Sequence, residues 1–449
     1  MTFAYYYGYP LYRYGLVVQG TPNASTNSLF HQRSLSTTAD KGLNKPNVDT
    51  LYSKAFLDLS HWDLVIKIPK IKDRYWVWPF HDAYSNNVAN IGALQSDPAG
   101  NYLVRFDKNN PGIKRANAKS PYRAYINIPT PYAISLVRIL VQPNDADAAA
   151  VHDIQDQLSI NPIRRAIPVA PPLNLEMFKD PRVMPGSINT LEEGVLKLTA
   201  KLAPYNDPAV MADRPWVSAT LEGAGLIKGS FIQPKGTNLT AASLAANSSI
   251  VKEYSVPGYL ERLSNDWVLP NPEYFGNFRS AYIARYSSAA TGYLVLTRDQ
   301  NLYPAYVGAT INPITPSTRA VRITFSTKPK LEPLGFWSLS VYDSNDNLIP
   351  NDLNRYSIGD RSNFRLMDGT MSSDGGDGPF QVLIQPRNVP PPANWTSNWL
   401  PAPSDGNGVQ INLRIYGGAE ALVNGSYVYP VVEMIDYSDE SSSSTCTLR

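Results

Sequence analysis

Four clusters in this 449-residue chain bring acids, cations, amides and phenols close enough to do chemistry. The first is Asn47, Asp49 and Tyr52. Asp49 could serve as a base or hydrogen-bond acceptor, with Asn47 and Tyr52 lining its pocket. The same P-N-x-D-T run also suits an Asx-type turn in which the carboxylate caps backbone N–H groups. The second surrounds His81 and Asp82, with Trp76, Tyr84 and Asn87 as binding groups. An imidazole titrates near neutral pH, and a carboxylate beside it can orient or charge it. Adjacent strand residues face opposite sides, however. The alternative is that Asp82, Tyr84, Asn86 and Asn87 fix a loop at a strand end. The third is Arg138 inside the apolar run LVRILV. A guanidinium is costly to bury alone, so it must pair with a carboxylate or hold an anionic ligand. The fourth joins Asn354, Arg355, Tyr356 and Arg361 to the strand-like Phe336 to Tyr342. Guanidinium geometry matches carboxylate or phosphate. Equally, Arg355 and Arg361 could bind Asp343 and Asp360 and stiffen a loop, with Trp337 packing in the sheet core.

Metal and cofactor signatures are missing. The histidines, His31, His61, His81 and His152, are scattered and none lies in an H-E-x-x-H motif, so no zinc or non-haem iron site is expected. The chain has neither a G-x-S-x-G elbow nor a Walker A loop. Gly223, Gly225 and Gly229 miss dinucleotide spacing. Cys446, the single cysteine, excludes an internal disulfide framework. No tightly bound cofactor is expected. The net charge of +2 gives no reason to expect nucleic acid or an acidic membrane surface. No run approaches the roughly 18 apolar residues of a membrane span. The first residues lack the basic and apolar regions of a signal peptide, so a cytoplasmic location is expected.

The elements that must position these residues are mainly strands. Thr50 to Leu59, Leu64 to Ile68, Arg74 to Phe80, Asn90 to Leu94, Tyr102 to Phe106 and Ala124 to Ile128 follow at the short spacing of an antiparallel sheet. Phe3 to Val18 is read as a helix, with an extended arm as the alternative. Helical periodicity then takes over at Ala146 to Leu158. In Ile188 to Leu202, Thr190 and Glu193 stand where a capping box needs them. Residues 207 to 229 and 240 to 265 also read as helical. From Tyr282 strands return: Gly292 to Thr297, Arg319 to Phe325, Phe336 to Tyr342, Phe380 to Gln385 and Gln410 to Tyr416. The expected class is α+β, mainly β. It comprises an N-terminal β-rich module (1–142), a mainly helical connection (143–280), a jelly-roll-like β-sandwich (281–436) and a disordered tail (437–449).

Several segments together resemble one family. They are PNVDTLYSKAFLDLS (46–60), DRYWVWPFHDAYSNNVANIG (73–92), PTPYAISLVRILVQPNDADAAAVHDIQDQL (129–158), the stretch from Leu334 to Arg361, and NWLPAP (398–403). In order and spacing they resemble the two-module proteins built from domains of unknown function 1254 (N-terminal) and 1214 (C-terminal). The resemblance covers most of residues 45 to 420. It implies a β-rich module, a helical connection and a jelly-roll-like module with a groove between. It supplies no reaction.

Polar and aromatic residues mixed in one groove suit an organic ligand carrying hydroxyl or carboxylate groups. The first expectation is therefore a small-molecule enzyme, a hydrolase, isomerase or lyase, set in a specialised-metabolite pathway. The alternatives are a carbohydrate-binding β-sandwich and a structural protein assembled as a homo-oligomer. An enzyme should gather Asp49, Asp82, Arg138 and Arg355 in one concave pocket. A carbohydrate binder should expose coplanar aromatic rings.

Overall fold

Strand-rich ends and a helical middle follow directly from the change in hydrophobic period along the chain. The computed structural model describes residues 1–40, 45–144, 146–308, 319–404 and 408–436. The expected tail and Cys446 lie outside the described residues. Two five-stranded sheets form the N-terminal part. The first runs Phe30–His31, Thr50–Asp58, Tyr132–Leu140, Trp76–Asp82, Asn87–Gly92, antiparallel throughout. The second runs Ser159–Arg164, Trp62–Ile68, Gly100–Phe106, Ala124–Ile128, Gly112–Arg115. Leu51, Leu57, Trp78, Phe80, Val137 and Ile139 of the first sheet meet Leu64, Ile66, Val104 and Ile126 of the second in one core.

Two four-stranded sheets form the C-terminal part. The third sheet runs Asn301–Leu302, Gln410–Gly418, Leu331–Tyr342, Ser357–Gly359, and the fourth runs Trp399–Ala402, Phe380–Pro386, Arg319–Phe325, Val431–Asp436. Trp337, Leu339, Val341, Leu413 and Ile415 face Val321, Ile323, Val382 and Ile384 across their shared core. Trp337 packs in that core, as its place in the strand predicts.

Helices Leu191–Leu202, Arg214–Gly223, Leu239–Tyr254 and Tyr282–Thr291 gather round the N-terminal helix Thr2–Gln19. Thr190 and Glu193 form the capping box. Gly8 lets the first helix lie against Leu191–Leu202, since a Cβ there would come within 1.7 Å of Thr199 Oγ1. Tyr14 lays this helical layer on the first sheet, its ring 5.6 Å from that of Phe56 and its hydroxyl donating to Ala133 O at 3.2 Å. Among the described residues, no helix is long and apolar enough to cross a membrane.

Four segments differ from the sequence reading. Tyr282–Thr291 is a helix where strands were expected to resume. Gly292 to Thr297 is irregular rather than a strand. Its apolar residues suggest β-structure, but its backbone is taken up by side chains of the first sheet. Arg138 Nη2 donates to Leu294 O at 2.9 Å, the His81 ring nitrogen Nε2 lies 3.2 Å from Val295 O, and Thr297 N–H donates to Asn87 Oδ1 at 3.0 Å. Finally, Tyr132–Leu140 and Ser159–Arg164 are strands that the periodicity did not mark.

Candidate functional site

Strand alternation decides which side chains reach the seam between the first and third sheets. On Leu331–Tyr342, Trp337, Leu339 and Val341 enter the C-terminal core. Phe336, Ser338, Ser340 and Tyr342 therefore take the other face. Gln410–Gly418 pairs Arg414 with Ser338 and Tyr416 with Phe336, so both join that face. On the first sheet, Tyr52, Arg138 and Val77 are cross-strand neighbours on the face opposite the N-terminal core. Tyr75, Val77, Leu140, Leu296, Phe336 and Tyr416 close the seam with a small apolar cluster.

Beside that cluster lies a buried polar network. Arg138 Nη1 donates to Tyr416 Oη at 3.2 Å and reaches Tyr303 Oη at 3.5 Å, and its guanidinium lies 5.8 Å from the centre of the Tyr52 ring. The Tyr303 and Tyr416 hydroxyls are 2.8 Å apart. Asn47 Nδ2 donates to Tyr416 Oη at 3.3 Å. Arg414 donates to Ser340 Oγ at 3.1 Å and to Lys45 O at 2.8 Å, with its guanidinium 5.5 Å from the Tyr342 ring centre. Tyr342 Oη donates to Pro46 O at 2.9 Å. Asp49 is paired with Arg361 and accepts from Ser338 Oγ at 2.6 Å. Arg361 also donates to Val141 O at 2.7 Å.

The charges in this network do not balance. Arg138 and Arg414 are 5% and 3% exposed, and a guanidinium stays protonated in proteins. Among the described residues, neither has a carboxylate within 4.0 Å. Asp49 is taken by Arg361, and Asp360, held by Trp337 N–H at 3.3 Å, is exposed. Burial pushes the Tyr416 hydroxyl well above the ordinary phenol range, with Tyr303 adding to the rise and Arg138 and Arg414 opposing it. Burial likewise raises Tyr52, against Arg138. Both phenols are therefore neutral, and the seam holds two uncompensated positive charges. Tyr52, Tyr303, Lys45 and Arg361 are partly exposed and form its rim.

The structure brings together Asn47, Asp49, Tyr52, Arg138 and Arg361 of the residues singled out by sequence. The turn at Asn47 forms with roles exchanged: Asn47 Oδ1 accepts from Asp49 N–H at 2.7 Å, which frees the Asp49 carboxylate for Arg361 and Ser338. Arg138 does not end in the ion pair that one reading required, and Arg361 pairs with Asp49 rather than Asp360. The other residues lie elsewhere. Trp76 is in the N-terminal core. Tyr84 packs under the first helix, its hydroxyl donating to Asn206 O at 2.9 Å. Asp82 accepts from Tyr84 N–H at 2.9 Å, Asn86 N–H at 3.0 Å and Asn86 Nδ2 at 2.6 Å, so its carboxylate closes the loop after its strand. Asn87 ties that loop to Thr297 and Asn90. Asn351 brackets Arg355 at both backbone N–H and C=O, and the Arg355 side chain donates to Thr396 O. Asn354 is exposed at φ 48°, and Tyr356 lies in the same loop. His81 shares the seam face of its sheet but is fully buried against Val295.

Sequence reasoning missed Tyr303, Ser338, Ser340, Arg414 and Tyr416. Arg414 carried a usable signal: a lone Arg inside the strand QINLRIY, the pattern that exposed Arg138. No group of three His, Cys, Asp or Glu residues able to hold a metal gathers among the described residues. A separate surface hollow is lined by Asp63, Arg105, Asp107, Lys108 and Arg165, but Arg165 and Asp63 pair there at 2.5 Å.

The VPA0106 protein of Vibrio parahaemolyticus has a similar crystal structure, with TM-score 0.60 and 18% identity over 96% of this chain and 98% of that one. An uncharacterised protein from Burkholderia cenocepacia aligns with TM-score 0.46 and 14% identity over 96% of this chain and 88% of that one. None of the curated proteins matches the chain. The family model described as Protein of unknown function (DUF1254) matches residues 26–162, and that described as Protein of unknown function (DUF1214) matches residues 300–420. Asn47, Asp49, Tyr52 and Arg138 fall in the first span; Tyr303, Ser338, Ser340, Tyr342, Arg361, Arg414 and Tyr416 fall in the second. The two spans together cover more than half of the sequence, in the expected order, and the chain belongs to the two-module DUF1254–DUF1214 family.

Proposed function

We propose that the seam recognises a small organic anion, and that the chain is an enzyme acting on it there through a site that differs from the expected pocket in lacking Asp82 and Arg355. The observation that carries this reading is the pair of buried guanidinium groups, Arg138 and Arg414, without carboxylate partners. Each such charge costs several kcal/mol to desolvate, and a ligand carboxylate or enolate between them would offset that cost. The hydroxyls of Tyr52 and Tyr303 supply the polar contacts that orient an oxygen-rich ligand. The carbohydrate alternative finds less support, because Trp216 is the one exposed tryptophan. A second reading rests on the bonds from Arg138 to Leu294 O and from Arg414 to Lys45 O: both residues would then be clamps holding the seam.

Thermal unfolding in the presence of aliphatic and aromatic carboxylates separates the two readings. Binding at about 100 times Kd stabilises the native state by roughly 2.7 kcal/mol. The wild type should show a saturable rise in Tm with at least one carboxylate class, and Arg138→Met and Arg414→Met should not. A wild type that responds to none of them, beside variants that melt markedly earlier, would establish the clamp. Metabolite comparison of cells with and without the gene then tests for turnover.

A further inference from the structure

We propose that Tyr303 is the proton donor to the bound anion, with the Tyr416 hydroxyl orienting it and stabilising the charge it leaves behind. This rests on the anion-site reading and assigns the reacting group within it. The direction of donation follows from counting donors. Asn47 accepts the Asp49 N–H through Oδ1, so its Nδ2 end faces Tyr416. A guanidinium can only donate. Arg138 Nη1 and Asn47 Nδ2 thus occupy both lone pairs of Tyr416 Oη, at 3.2 and 3.3 Å. The Tyr416 hydrogen must point to its remaining neighbour, Tyr303 Oη, at 2.8 Å. Tyr303 then accepts from Tyr416, and among the described residues its own hydrogen has no protein acceptor. Tyr303 is partly exposed while Tyr416 is fully buried, so the free hydrogen lies on the open side of the pair.

Proton balance closes within the pair. When Tyr303 gives its proton to a ligand oxygen or carbanion, its O–H bond breaks and the ligand–H bond forms. Tyr416 keeps its proton and donates across the 2.8 Å contact to the oxygen left on Tyr303. The phenolate stays on Tyr303, where Tyr416 at 2.8 Å and Arg138 at 3.5 Å donate to it. Proton return from product or solvent reverses the path.

4-Nitrophenol is a suitable probe, because its visible band reports both ionisation and hydrogen bonding of its oxygen. The wild type should bind the anionic form, with the bound band displaced toward shorter wavelength. Arg138→Met should abolish binding. Tyr303→Phe should bind at least roughly tenfold more weakly, the worth of a hydrogen bond to an ionised group, and lose the band displacement. Tyr416→Phe should bind within a few-fold of wild type with a partial displacement, since it supports the donor without touching the probe. Circular dichroism of each variant verifies folding. Binding and band unchanged in Tyr303→Phe, with Arg138→Met still unable to bind, would overturn the donor role of Tyr303 and leave the anion site standing. Absence of binding by the wild type would count against both.

Discussion

Acid should unfold this protein partly through His81, and the size of the effect follows from its surroundings. The ring is fully buried; Nε2 donates to Val295 O at 3.2 Å, and Nδ1 has no partner. A proton on Nδ1 would create a charge facing no anion. Burial therefore holds the pKa down at about 3; the Val295 carbonyl pulls it up, and nearby Arg138 lowers it. In the unfolded chain the same ring titrates near 6.5. Below that value the unfolded state takes up a proton that the native state refuses. Stability is therefore fully present above about pH 6.5 and falls as pH drops, by about 1.4 kcal/mol per pH unit from this group. Moving from neutral to about pH 5 should cost about 2 kcal/mol through His81. His81→Gln can keep a donor for Val295 O and does not titrate. Urea unfolding of wild type and variant at about pH 5 and about pH 7.5 isolates the term. The wild type should lose about 2 kcal/mol more than the variant over that interval. Equal losses would mean that the imidazole is not held neutral, and would return it to consideration as an acid–base group.

Two further outcomes are expected. Asp49→Asn breaks a buried ion pair and weakens the Ser338 contact across the seam, so it should cost about 3–5 kcal/mol, read as a lower urea midpoint at unchanged slope. Thr190→Ala removes one half of a capping box on an exposed helix end and should cost about 1 kcal/mol, with no change in the carboxylate response at the seam.

Legibility in the sequence tracked locality. The capping box at Thr190 was readable because all its atoms lie within four residues. Thr50–Asp58 and Phe336 to Tyr342 were readable because both faces of these strands are buried and their residues favour β-structure. Gly292 to Thr297 misled for the same reason that the strands were found. Its composition is strand-like, but His81, Asn87 and Arg138 reach it through side chains and draw it across a sheet instead of into one. Leu294 is held at φ 62° with its carbonyl on Arg138, a conformation that its own side chain disfavours. Tertiary contacts chose that backbone, and no local pattern records them.

The same reasoning separates what was visible at the site from what was not. An Arg in LVRILV announces a cost, and the cost made Arg138 stand out. It does not announce who meets the charge. Tyr416 lies 278 residues away and reaches Arg138 because two antiparallel strands present matching faces across the seam. A carboxylate does lie at the neighbouring strand, since Thr50 pairs with Leu140, but Asp49 is turned toward Arg361 by the Asn47 turn. One carboxylate between three guanidinium groups leaves two charges for phenols and backbone to solvate. A fold selected for stability alone would gain from replacing these arginines with apolar side chains of similar volume. The presence of Arg138 and Arg414 at the meeting face of two modules is therefore the strongest physical reason to look for a ligand there.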